Sequence, residues 1–419
     1  MTQVAIVGGG LAGLAAARVL IEHGIAVELL EASDRLGGRA RTLHHDDSPL
    51  PIELGPEYVH GRPELTLELV RDSAIELEPI ADRHHIVRAG QLVDAGDVWQ
   101  RFGELVGPAE KLPADRSARA YIAGADIDAD DADLLARFIE GFYGADLDDI
   151  SIAGVAEDAG GAGGDESPSQ YHIRGGYGRI VAALGTRIVR RARVHLGRVV
   201  EAIEWSGRRV RIAVRDGDPV RAERVIVTVP LAVLRELRLD PAHAIPNGLA
   251  MGQVVKVVIC LREPVWNEHA AHRMDFVHAP GAFPTYWMRS AGTSHQLCAW
   301  AGGGHARALA GTSGDTLVEL ALAGFAHATG VAPEALAAVV RDHHFHDFAA
   351  DPFARGAYSY TRVDGRGAAD ELARPLADTV FFAGEATDGD YEGTIAGALA
   401  SGSRAAHQVI RAIGAARAA

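Results

Sequence analysis

The sequence predicts a two-part α/β protein, and three observations carry that prediction. The first 31 residues read as strand, glycine turn, helix and strand; the stretch from Arg193 to Val229 alternates as strands do; and a second strand–turn–helix unit closes the chain. With 48% hydrophobic residues among 419, there is material for one large core or two coupled ones.

Taken in order, an apolar strand Val4 to Val7 enters the glycine turn, a helix runs from Leu11 to Glu22 and stops at Gly24, and a strand follows from Ile25 to Leu30. That is the first half of a Rossmann fold. Between about 64 and 180 the pattern turns mainly helical, as in Leu65 to Arg71 and Asp131 to Phe142, broken by a glycine-rich acidic stretch, Glu157 to Ser167, that reads as an exposed loop. From Arg193 the period becomes two, which predicts antiparallel strands with one wet face, ending in the buried run Val225 to Val229 before Pro230. A strand Val254 to Leu261, turn-rich sequence, a helix from about Thr316 to Thr329 and a mixed region to Arg374 come next. The last unit is a strand Thr379 to Ala383, a turn at Gly384 and a helix from about Thr394.

A formal charge of −15 argues against nucleic acid, which needs basic clusters to neutralise phosphates. The same acidity suits cationic partners, or simply solubility. Cys260 and Cys298 sit in apolar runs and read as buried thiols, not as a disulfide framework. The start enters a strand at once, with no secretory leader, and no apolar run reaches the length of a membrane span. The expectation is a soluble cytoplasmic protein. Oligomeric state is left open, with a homodimer among the options.

Gly8-Gly9-Gly10-Leu11-Ala12-Gly13 fits GxGxxG. Gly8 permits the tight turn, Gly10 admits a pyrophosphate to the backbone, and Gly13 lets the helix pack closely on the strand. Glu31 ends the second strand, where a carboxylate accepts from ribose hydroxyls and would repel a 2′-phosphate. The glycine pair Gly37-Gly38 and Arg39 just beyond it suit a larger cofactor whose pyrophosphate receives extra donors, which favours FAD over NADP. The fold class read from these features is a Rossmann-type FAD/NAD(P)-binding domain with a mixed α+β substrate domain. The dinucleotide domain is assigned to 1–75, 186–250 and 375–419, and the substrate domain to 76–185 and 251–374.

Arg35-x-Gly37-Gly38-Arg39-x-x-Thr42 resembles the glycine doublet of the flavin amine oxidase family, which includes monoamine oxidases, polyamine oxidases and the catalytic domain of histone lysine demethylases. Three further segments resemble that family in order: Glu53 to Gly61, Val225 to Leu234, and Phe381 to Thr387 through Gly393 to Ala398. The resemblance implies that Gly55, Pro56, Glu57 and Tyr58 line FAD through their backbone, and that Val200 meets the adenine. By the same resemblance Gly384 and Glu385 meet the ribityl or phosphate region, and Thr394 and Ile395 the flavin pyrimidine edge. A helix beginning near Thr394 offers free N–H groups and a positive dipole end to the reduced flavin.

Lys256 is the lone charge in an apolar strand, and the family likeness implies that it orders a water at flavin N5. Tyr358 resembles the aromatic wall before the flavin, and Ala357, without sulfur, implies non-covalent FAD. His60 occupies the place of a substrate-side histidine in polyamine-oxidising relatives. Phe348 stands where many members carry tryptophan, and Thr394 where animal monoamine oxidases carry a second tyrosine. The histidines His343, His344 and His346 do not suggest a metal, since neighbours on an extended segment point opposite ways and no cysteine or carboxylate set completes a site. The implied reaction is oxidation of an amine C–N bond to an imine that hydrolyses, with O2 as acceptor and H2O2 as product. The amine must be neutral, so the rate should rise with pH. Amino-acid oxidation, using Arg289 or Arg355 for the carboxylate, dehydrogenation with another acceptor, and a non-catalytic FAD-binding protein stay open. Asp388, Asp390 and Glu392 read either as a solvated loop or as a seat for a distal ammonium.

Overall fold

The computed structural model describes residues 2–162, 170–268 and 274–418. One eight-stranded sheet runs in the order Arg193–His195, Val27–Leu30, Thr2–Val7, Val220–Val227, Arg209–Val214, Val200–Ser206 and Arg238–Asp240, with Val380–Phe382 also paired to Val220–Val227. Thr2–Val7 lies parallel to both Val27–Leu30 and Val220–Val227. Strands in such a position are buried on both faces, which explains the unbroken apolar runs Val4 to Val7 and Val225 to Val227. On one face Ile6, Leu29, Ile226 and Phe381 pack against Leu14, Leu184 and Val409 of the helices Leu11–Glu22, Gly178–Val189 and Ile395–Ala418. On the other, Val7, Leu30, Val225 and Phe382 pack with Leu231, Leu249 and Leu372.

A second sheet of seven strands runs Val340–Asp347, Val254–Leu261, Ser294–Gly302, Thr285–Ala291, Phe276–His278, His84–Arg88 and Gln91–Asp94. Its outer face buries Val255, Val257, Ile259 and Leu297 beneath Leu317, Phe325 and Leu336 of the helices Gly314–Thr329 and Pro333–Ala338. Because side chains alternate along a strand, the intervening residues Lys256, Trp300, Trp287, Thr285, Phe276 and His278 turn inward, and all six line one large cleft.

The structure corrects the sequence in four places. The region 64–180 is less helical than read, since Leu77–Pro79, His84–Arg88, Gln91–Asp94 and Gln170–Ile173 are strands. The turn-rich stretch after Leu261 contains three strands of the second sheet. Arg193–His195 pairs parallel, not antiparallel, with Val27–Leu30. Residues 157–162 continue the helix Ile152–Ala162 rather than looping out, and 163–167 lie outside the described residues. Both cysteines are free and buried, as expected. Among the described residues no helix is long and apolar enough to cross a membrane.

Candidate active site

The cleft has a volume of about 2000 Å3. Pockets for single small ligands span roughly 300–1,000 Å3, so this one has room for a dinucleotide and a substrate together. Its nucleotide end is built on the glycine turn. A Cβ at Gly13 would lie 2.0 Å from the Gly8 carbonyl oxygen, so helix and strand approach there only without a side chain. A Cβ at Gly10 would meet nothing within 4 Å, and Gly10 borders the cleft: the space beside it is open to a ligand. Glu31, buried, accepts from Gly9 N–H at 2.6 Å and from Ser33 N–H and Oγ, each at 2.8 Å. These bonds aim the carboxylate across the turn and leave lone pairs for ribose hydroxyls. Val200 lines the same end.

These residues fit a bound dinucleotide, and Gly10→Val should test the fit. The added methyl groups enter open cleft, so the chain should fold. The loss of two charge-assisted phosphate contacts at roughly 1.5 kcal/mol each would weaken FAD about 100-fold. Colourless, folded protein with low FAD affinity by calorimetry is the expected result. Gly13→Val, with its clash against backbone, should instead damage the fold.

Farther along, Arg39 directs Nη1 to the Ala357 carbonyl at 2.6 Å and to Glu385 Oε1 at 2.7 Å. The other Glu385 oxygen accepts from Ser359 N–H at 3.1 Å and Oγ at 2.6 Å. The side chains assigned to the pyrophosphate and ribityl region thus hold each other in place, and both still border the cleft. Gly384 and Thr394 border it too. Thr394 Oγ accepts from Gly397 N–H at 3.0 Å, capping the helix that starts at Ile395, so its first turn faces the cleft positive end first.

Lys256 is fully buried, and its Nζ donates to Glu57 at 2.7 Å and to the Gly55 carbonyl at 3.3 Å. The Glu57 side chain therefore does more than the backbone contact assigned to it. It also receives Arg289 Nη1 at 3.4 Å and lies 3.9 Å from His172 Nδ1. Burial alone would raise the Glu57 carboxyl, but Lys256, Arg289 and His172 together bring it down to about 2. His172 is pushed to about 4 by burial and by Arg289, so it stays neutral. Two cations and one anion remain, beneath the Trp287 ring whose centroid is 5.1 Å from Nζ.

Tyr358 donates its hydroxyl to the Phe142 carbonyl at 2.8 Å, which fixes the ring on the cleft wall. Burial raises its pKa well above the ordinary range, so it remains a neutral phenol. His60 faces open cleft, yet the surrounding walls push its imidazole down to about 4, outweighing the attraction of Asp82. Its neighbours, Phe142 at 5.6 Å and Tyr58 at 6.1 Å, offer no charge to a protonated ring. Pro56 and Tyr58 also line the cleft.

Sequence reasoning missed a polar chain in the same wall. Asp82 accepts from His84 Nε2 at 2.9 Å, Trp99 Nε1 at 2.9 Å and Gln170 Nε2 at 3.1 Å. His84 Nδ1 meets His278 Nε2 at 2.8 Å, and His278 Nδ1 meets Thr285 Oγ1 at 3.3 Å. The chain runs unbroken from Asp82 through His84 and His278 to Thr285, each nitrogen serving as donor or acceptor to its neighbour. Burial, His84 and Arg137 all keep His278 neutral. Thr285 ends the chain and borders the cleft. The signal was present in the alternation of Phe276 with His278 and of Thr285 with Trp287, but the strands had not been recognised.

The sequence pattern of the family described as flavin containing amine oxidoreductase matches residues 11–410. The chain belongs to that family. Its cofactor is FAD. The chain is 26% identical to lysine-specific histone demethylase 2 of Homo sapiens over 97% of its length, and spans 53% of that protein, about half. It is 24% identical to flavin-containing amine oxidase B of Cavia porcellus, covering 98% of this chain and 86% of the other. Cyclohexylamine oxidase from Brevibacterium oxydans superposes with a TM-score of 0.84 at 20% identity, covering 99% of both chains. A putrescine oxidase bound to putrescine gives 0.82 at 20% identity, covering 98% of this chain and 99% of the other. These superpositions establish the shared fold.

Proposed function

We propose that the protein oxidises the C–N bond of a primary or secondary amine, an amine, O2 and water giving a carbonyl compound, the released amine or ammonia, and H2O2. The observation that carries this reading is a buried ammonium, Lys256, set in the same cleft as an aromatic wall of Tyr358, Trp300 and Trp287 and adjoining a dinucleotide turn. Bound FAD supplies the electron sink for the amine's α C–H bond. Tyr358, held by Phe142, flanks the substrate nitrogen, and the neutral His60 and Thr285 accept from its N–H groups without adding charge. Apolar walls disfavour the ammonium form and so present the neutral amine, whose lone pair stabilises the developing iminium.

Both guanidinium groups considered for an amino-acid carboxylate are engaged, Arg289 with Glu57 and Arg355 with Glu236. That favours amines over amino acids. Glu392 lines the cleft and favours a second nitrogen in the substrate: burial, with the like charges of Glu385 and Asp158, raises its carboxyl to about 7 against the lowering hydrogen bonds of Thr361 and Ser359. A distal ammonium would supply the counter-charge. The test is anaerobic stopped-flow mixing with monoamines, diamines, polyamines and amino acids while following flavin absorbance. Bleaching by amines, strongest for those with a second nitrogen, is expected. Bleaching by amino acids alone, or by nothing at full FAD content, would overturn the reading.

A further inference from the structure

Away from the cleft, His45, Asp342 and His344 converge, their ligand atoms all within 4.8 Å of one another. His45 belongs to the loop between Thr42–Leu43 and Ile52–Glu53, while the other two occupy alternate positions on the strand Val340–Asp347 and so share a face. His45 Nε2 is 3.4 Å from His344 Nε2 and 3.2 Å from Asp342 Oδ2, and His344 Nε2 is 3.7 Å from Asp342 Oδ1. We propose that these three side chains form a zinc site that clips this loop to the strand.

Hydrogen bonding alone does not satisfy the cluster. If His45 Nε2–H donates to Asp342, the His344 Nε2 lone pair faces a nitrogen and the carboxylate oxygen Oδ1. Asp342 Oδ1 lies 3.7 Å from His344 Nε2 and makes no hydrogen bond with either imidazole, while the Cys260 thiol meets the same carboxylate. A cation between them satisfies all three at once.

The spacing selects the kind of cation. Tetrahedral zinc with bonds of 2.0–2.1 Å has ligand-to-ligand edges of about 3.3–3.4 Å, and the separations of His45 Nε2 from His344 Nε2 and from Asp342 Oδ2, 3.4 and 3.2 Å, lie around that value. Two imidazoles suit zinc rather than calcium or magnesium, which take oxygen. Three protein ligands leave a fourth position for water. Of the nearby charges, Arg341 touches Asp342 Oδ2 at 3.4 Å but is itself paired with Asp47 at 2.7 Å. The Cys260 thiol and Arg41 also face the cluster. His343 points to the opposite side, toward Asp315, and His346 bonds the Leu54 carbonyl, so the histidine run contributes one ligand and the fold supplies the rest.

The test uses FAD-loaded protein, stripped with chelator, desalted and titrated with Zn2+ by calorimetry, with bound metal counted by mass spectrometry. One zinc per chain is expected. His45→Ala and His344→Ala should each weaken it about 100-fold, while His343→Ala keeps it. Zn2+ should raise the melting temperature of the wild type and leave that of His45→Ala where it was. Failure to retain zinc, or the same affinity in wild type and His45→Ala, would overturn the site; retained melting behaviour in His45→Ala shows that such a result is not misfolding.

Discussion

Replacing Glu57 by glutamine is expected to destabilise the protein by about 3–5 kcal/mol, the cost of leaving buried charge without its partner. The shape of the side chain survives, so the change isolates the charge. What remains is Lys256, fully buried, and Arg289, 8% exposed, with no anion between them. The arrangement can relax only by releasing the Lys256 proton or admitting water, and either course costs most of what the pair contributed. The pH profile gives an independent check. Glu57 falls from an ordinary 4.5 in the unfolded chain to about 2 in the fold, so its contribution is complete above about pH 4.5 and disappears as pH drops toward 2. Wild-type stability should therefore decline across that acid window more steeply than that of Glu57→Gln. Thermal melts of FAD-loaded protein from pH 3 to 7 would show it, with the variant melting on the order of 5 °C lower or more at pH 7. Equal melting temperatures at neutral pH would mean that Arg289 and Lys256 do not depend on Glu57.

The residues in that cluster mark the limit of what the chain discloses in one dimension. The first strand–turn–helix was legible because its signals are local: glycines at 8, 10 and 13 and the period of Leu11 to Glu22 decide it without reference to anything distant. Val254–Leu261 was legible for a different reason, being buried on both faces and therefore apolar throughout except at Lys256. The strands that follow were not. In Thr285–Ala291 the inward residues are Thr285 and Trp287, which face the cleft, and Arg289, which is buried against Glu57, so the usual apolar–polar alternation is scrambled. Lys256 could be singled out as out of place, but its partner Glu57 lies 199 residues away and was read only as backbone. His84 and His278 were invisible as a pair for the same reason: nothing in sequence ties them until two strands are laid side by side.

Lys256→Met separates the charge on the lysine from the stability of the cluster. Removing Lys256 leaves Glu57 and Arg289 as one balanced pair at 3.4 Å, so the variant should fold, keep its FAD, and lose less stability than Glu57→Gln. Its chemistry should suffer more. Two of the three ammonium N–H groups are committed, to Glu57 and to the Gly55 carbonyl, and the third is available to a water or to oxygen in the cleft. In the proposed reaction O2 would gather negative charge beside Lys256, and a fixed cation as fully buried as this one is worth far more than in solution. Losing one preorganised donor of this kind costs about 100-fold or more. Reoxidation of the dithionite-reduced protein by air, followed in a stopped-flow instrument, should slow by that order, while anaerobic bleaching by an amine changes far less. The opposite pattern, with bleaching abolished and reoxidation intact, would assign Lys256 to the substrate instead of the oxygen, and unchanged rates in both halves would make it a structural cation whose purpose is to neutralise Glu57.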